Sequence, residues 1–253
     1  MLLVILIVGG YAAYNVFFKQ RIQYDPVSAC PVLSGQVAPR AHTVILIDET
    51  DTLTDIQADQ VRNLLQKTAN NELQPGELLS IYVLGDDFRT NRRPIFEMCK
   101  IRDGSDADAL TENEKLMRKR FRERFQGPLM AKIDTLLLPK PVAKQSPLME
   151  MVQSISVNSF DKWMTSGNRR LIVVSDMIQN VRDFTMFKSQ PEFEKFNKSP
   201  YAQKVKTRLP DTSVELYYLS NYPKLQTNRN AEFWRQYFNN SGAMVEKIIP
   251  IGR

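Results

Sequence analysis

The chain has 253 residues, of which 43% are hydrophobic and 25% charged, a composition that suits one globular domain with a core of its own plus an appendage. A formal charge of +6 fits an anionic membrane surface, an acidic partner or plain solubility, and selects none of them. Exclusions are more informative: His42 is the only histidine, which argues against zinc-hydrolase and Ser-His-Asp chemistry, and the ten glycines form no G-x-x-x-x-G-K phosphate loop.

In chain order, residues 2–18 form an uncharged apolar stretch that meets Lys19 and Arg21 and approaches the roughly 20 residues a membrane helix needs. The expectation is a single transmembrane anchor in an inner (cell) membrane of bacterial type. A cleavable signal peptide would begin with a basic segment and end at a small-residue site, neither of which residues 1–14 supply; a buried core helix is the third reading. Met1 running straight into the apolar core points to a start codon further upstream. Residues 19–42, with Pro26, Pro31 and Pro39, read as a linker.

The run Val44-Ile45-Leu46-Ile47 predicts a buried first strand over residues 43–47. Thr54 followed by Gln57 is a capping box, and Ile56, Val61, Leu64 and Leu65 give the helix after it an apolar face. Residues 79–84 predict the second strand and residues 94–99 an antiparallel edge strand. Helix over 149–163, strand over 171–175, strand over 214–219, helix over 231–238 stopped near Gly242, and strand over 245–251 complete the alternation. Such alternation predicts an α/β fold: a doubly wound, mainly parallel six-stranded sheet with helices on both faces, preceded by one N-terminal transmembrane helix.

Asp48, Thr50 and Thr52 fall where the first strand hands over to a loop, at the crevice edge of such a sheet. Ser146-Pro147-Leu148 opens a helix, and Leu171-Ile172-Val173-Val174-Ser175-Asp176 is a second buried strand ending in a carboxylate. Three hydroxyls and two carboxylates describe a hard-cation site for Mg²⁺ or Mn²⁺. Each element also has structural work open to it, Ser146 as an ordinary N-cap.

These residues resemble the von Willebrand factor A-like family. Its metal-ion-dependent adhesion site is written D-x-S-x-S on the first strand-to-helix loop, with a later Thr often followed by Pro-Leu, and an Asp after the fourth strand. Asp48, Thr50 and Thr52 match the first part with Thr for Ser, Ser146 before Pro147-Leu148 stands for the Thr, and Asp176 matches the last. The resemblance covers nearly everything after Arg40 and implies a binding module rather than an enzyme. In the family the cation takes its last ligand from an acidic residue of a partner protein. Met177 replaces the Gly that commonly follows the last Asp, and the chain as given ends right after the sixth strand, without the closing helix of many members.

The two cysteines bear on topology. Lys19 and Arg21 favour a cytoplasmic downstream flank, whereas Cys30 and Cys99 fall at the same end of the expected sheet. A disulfide tying linker to sheet edge and two unrelated buried thiols are both open, and the reading leans to an extracytoplasmic domain.

Two insertions exceed a minimal fold. Residues 103–143 carry a helix with Lys115, Arg118, Lys119, Arg120, Arg122 and Arg124, an inward face of Phe121 and Phe125, and a break at Gly127-Pro128. A solvated face is the plain reading of that charge; acidic lipid headgroups or an acidic partner are the functional one, and no nucleic-acid motif accompanies it. Residues 182–212, with Phe184, Phe187, Phe193, Phe196 and Tyr201, read as a packed loop or a docking surface near Asp176. A haloacid-dehalogenase-like phosphatase would need a second Asp where Thr50 stands. A Mg²⁺-dependent nuclease would recruit Asp48, Asp86, Asp87 and Asp176. The remaining alternative is a von Willebrand A-like scaffold that binds without metal.

Overall fold

The computed structural model describes residues 22–87 and 89–252. The expected anchor, residues 2–18, lies outside the described residues; among those described, no helix is long and apolar enough to cross a membrane.

The segment expected as a linker carries structure. β1 (Gln23–Tyr24), β2 (Pro31–Leu33) and β3 (Gln36–Val37) form a small antiparallel sheet. Its sequence gave no alternation to read because the strands are two or three residues long, and the lobe is held instead by covalent and local bonds. Cys30 and Cys99 form a disulfide with Cα atoms 4.9 Å apart. Asp25 Oδ1 accepts hydrogen bonds from Ser28 N and Ser28 Oγ, both at 2.6 Å.

The main sheet contains β4 (His42–Asp48), β5 (Leu78–Leu84), β6 (Phe96–Cys99), β7 (Arg169–Ser175), β8 (Thr212–Leu219) and β9 (Ala243–Ile251) in the order β6-β5-β4-β7-β8-β9. All pairings are parallel except that of β6 with β5. The edge strand starts two residues later than expected, after Pro94, which lacks the N–H a ladder needs.

Alternation along β4 explains why helices cover both faces. Val44 and Leu46 point to one side, into a core with Leu171, Val173, Val214 and Leu216. Ile45 and Ile47 point to the other, with Ile81, Val83, Ile172 and Val174. The first face is covered by α4 (Leu148–Ile155), α5 (Phe193–Asn197), α6 (Pro200–Lys204) and α7 (Asn228–Asn240). The second is covered by α1 (Asp55–Lys67), α2 (Glu114–Phe121) and α3 (Gly127–Leu136).

Helix ends follow local chemistry. Thr54 and Gln57 make the reciprocal capping box of α1. Thr227 caps α7 by accepting from Asn230 N, and Gly242, at φ 87°, turns the chain out of it into β9. The expected break at Gly127-Pro128 is absent. A π turn over Arg122–Gln126 joins α2 to α3, with Gly127 N donating to Arg122 O. The wider turn accommodates the ring and missing N–H of Pro128 without ending the helix. The aromatic insertion is packed except at Phe187, which is 43% exposed: Phe184, Phe196 and Tyr201 interlock with Phe233 of α7, the Phe184–Tyr201 centroids standing 5.6 Å apart.

Candidate functional site

The order of connection reverses between β4 and β7: from β4 the chain goes outward to β5, and from β7 outward the other way to β8 and β9. Ligands of open α/β sheets collect in the crevice beyond the carboxyl ends of strands at such a point. Asp48 is the last residue of β4 and Asp176 follows the last residue of β7, so both carboxylates flank it.

Asp48 is buried and accepts on both oxygens. Oδ1 takes Thr50 N at 2.9 Å and Thr50 Oγ1 at 2.6 Å; Oδ2 takes Ser175 Oγ at 2.7 Å and Ser146 Oγ at 3.4 Å. Burial raises its pKa above the ordinary carboxylate value against the lowering effect of these bonds. Asp176, also buried, accepts from Ile178 N at 2.8 Å. Burial first, and then the charge of Asp48, push its pKa well above normal.

A third carboxylate completes the cluster. Asp51 lies near enough to Asp176 for its charge to raise the Asp176 pKa further, and it receives Asn221 Nδ2 at 3.1 Å and Tyr222 Oη at 3.3 Å. The sequence reading passed over both Asp51 and Ser175. Asp51 is the second intervening position of the D-x-T-x-T spacing, and Ser175 closes the apolar run Leu171-Ile172-Val173-Val174; a polar residue closing a buried run was the available signal for the second. No Lys or Arg pairs with the three carboxylates among the described residues, and Lys140 is engaged with Glu49.

Two of the proposed hydroxyl ligands converge and one does not. Thr50 and Ser146 face Asp48. Ser146 is not the N-cap of α4, a position held by Pro147; it pairs through its backbone with Asn180, which leaves its hydroxyl for the crevice. Thr52 is exposed and donates to Lys140 O at 2.6 Å, so its hydroxyl is turned away from the cluster. Asp86 and Asp87 are exposed; Asp86 joins its loop to the segment before Ser146 by accepting from Gln145 N, and Asp87 closes a local turn by accepting from Arg89 N.

Met177 sits at φ 59°, the left-handed region that a Gly would enter freely. Three hydrogen bonds hold it there. Its N–H donates to Ser175 Oγ at 2.9 Å, and its carbonyl accepts Trp234 Nε1 at 2.8 Å and Asn230 Nδ2 at 3.2 Å. The departure from Gly is thereby tolerated, and the buried side chain adds to the core.

The crevice encloses about 60 Å³ between Thr50, Asp51, Gln145, Ser146, Asp176 and Tyr222. That is space for an ion with a water molecule, or for the tip of one side chain, and is well below the roughly 300 Å³ of a small-molecule site. A larger depression, about 720 Å³, lies at the opposite end of the sheet, beside Arg170, Thr212 and Met244. Among the described residues no three Asp, Glu, His or Cys side chains form a cation cage by themselves. A cation here would depend on the hydroxyls of Thr50 and Ser146, and the all-oxygen donor set with unneutralised buried carboxylates fits a hard divalent ion. No family model matches the sequence, and no curated protein matches it.

Proposed function

We propose that the chain is a membrane-anchored, von Willebrand A-like interaction module. Asp48, Thr50, Ser146 and Asp176 hold Mg²⁺ or Mn²⁺, and an acidic residue of a partner protein supplies the last ligand. The observation that carries this reading is three carboxylates gathered at the switch point without a basic partner among the described residues, beside the hydroxyls of Thr50 and Ser146, both turned to Asp48. The cation would supply the positive charge that this cluster lacks and a position open to a carboxylate. Thr52 joins the set only by exchanging its bond to Lys140 O. The Cys30–Cys99 bridge supports an extracytoplasmic domain, since such bonds persist in oxidising compartments.

Calorimetric titration of Mg²⁺ and Mn²⁺ into the detergent-solubilised chain tests the reading, with Asp48→Ala as control. Millimolar or tighter binding lost in the variant is the expected result. Absence of heat together with unaltered partner capture by Asp48→Ala would instead favour a metal-independent scaffold, the reading that the engaged Thr52 hydroxyl supports. Mn²⁺-dependent phosphoester hydrolysis that vanishes on Asp176→Ala would overturn both.

A further inference from the structure

The end of the molecule opposite the crevice carries a second surface. The strands of the parallel sheet begin there, and the lobe of β1, β2 and β3 is bridged to it at Cys99, the last residue of β6. On this lobe large apolar side chains stand in solvent: Val27 is 80% exposed, Leu33 57%, Tyr24 50% and Ile22 45%. So many within twelve residues contrasts with the rest of the surface, where exposed apolar residues are scattered.

The basic helix lies against the same lobe. Arg124 Nη2 donates to Pro26 O at 2.9 Å, fixing the middle of the π turn beside the apolar tip. Phe121 and Phe125 anchor the inner side of this helix, their rings stacked at 5.6 Å. Its outer side is left with Lys115, Arg120 and Arg122, all exposed and without an acidic partner among the described residues; Arg118 and Lys119 pair with Glu114 and Glu123. Leu116, 42% exposed, stands among them. The chain enters this end at Ile22, directly after Lys19, Arg21 and the apolar residues 2–18.

We infer that the lobe tip and the outer face of α2 with its π turn form one docking surface for an anionic lipid bilayer, the apolar side chains entering the headgroup layer and Lys115, Arg120 and Arg122 meeting lipid phosphates. Charge complementarity and continuity with the apolar N-terminal segment select a membrane over an acidic protein. The surface rests on the membrane-anchor reading for its orientation, and it places the carboxylate crevice at the end facing away from the bilayer.

The test uses the full chain with a fluorophore on Val27→Cys, Leu116→Cys or, at the crevice end, Val142→Cys, in vesicles of phosphatidylcholine with or without phosphatidylglycerol and a headgroup-nitroxide lipid. Quenching at 27 and 116 at least twofold above that at 142, and growing with phosphatidylglycerol, is expected. Lys115→Glu, Arg120→Glu and Arg122→Glu together should abolish the phosphatidylglycerol dependence at 116. Equal quenching at all three positions, or none that depends on phosphatidylglycerol, overturns the proposal. Alkaline extraction of the same vesicles reports separately on the anchor: release of the chain defeats the anchor reading, while the quenching pattern still decides the surface.

Discussion

At the carboxyl ends of β4 and β7 the chain buries Asp48 and Asp176 beside Asp51 with no basic partner among the described residues, and holds Met177 in a left-handed backbone. At the opposite end of the sheet it places a disulfide, a neutral buried His42 and a helix face of cations without an acidic partner among the described residues. The first end is electrostatically frustrated and open to relief by a ligand; the second is locked by bonds within the chain. Function concentrates where the fold leaves such tension.

The largest way to break this contrast is at the locked end. Cys30 and Cys99 are 69 residues apart in sequence, so reduction should cost about 4 kcal/mol of stability through the freedom returned to the unfolded chain. Urea unfolding of oxidised and reduced protein measures it, and midpoints that coincide would show that the lobe is not tied to global stability.

His42 comes next. Burial, then Arg169 and Lys162, push its pKa down to about 3, with Nε2 2.9 Å from Ser80 Oγ. A folded value below the unfolded 6.5 means the contribution is complete above pH 6.5 and is lost as pH falls towards 3. At pH 4.5 the loss through this group is about 2–3 kcal/mol. His42→Gln should flatten the stability profile between pH 6.5 and 4.5 relative to wild type; parallel profiles would rule the group out.

At the frustrated end, Asp176→Asn keeps the oxygen that accepts from Ile178 N and removes a repelled charge. Raised pKa values make the acid form the more stable, so the stabilisation is full below 3.8 and fades as pH climbs through the folded value. At pH 7, without divalent cation, the variant should gain on the order of 1 kcal/mol, read as a thermal midpoint a few degrees higher. Wild type should gain about 1.4 kcal/mol from Mg²⁺ at ten times its dissociation constant, and the variant should not respond. A destabilised, Mg²⁺-responsive variant would remove Asp176 from the cluster. The smallest effect is that of Thr52→Ala, about 0.5–1 kcal/mol for an exposed bond to Lys140 O. If cation affinity falls in that variant, Thr52 does turn inward on binding.

Legibility differed between these ends for physical reasons. The main strands were readable because apolar runs such as Val44-Ile45-Leu46-Ile47 are buried on both faces, and the capping box of α1 because Thr54 and Gln57 are local. Asp48 and Asp176 were readable as strand-end carboxylates. The orientation of Thr52 was not, since its partner, Lys140, lies 88 positions away. Asp51 escaped because its place in the cluster is fixed by Asn221 and Tyr222 from a distant loop. The lobe escaped because strands of two or three residues carry no period to read.

The Cys30–Cys99 bridge also sets a mechanical route. Tension applied at residue 22 would first peel β1 from β2 and then reach Cys30. There the bond diverts part of the pull into Cys99, at the end of a sheet-edge strand whose partner is β5. The remaining path, through β2 and β3 to the central β4, is partly shielded. A tug from the N-terminal side is therefore shared across the sheet before it can draw Asp48 down from the crevice.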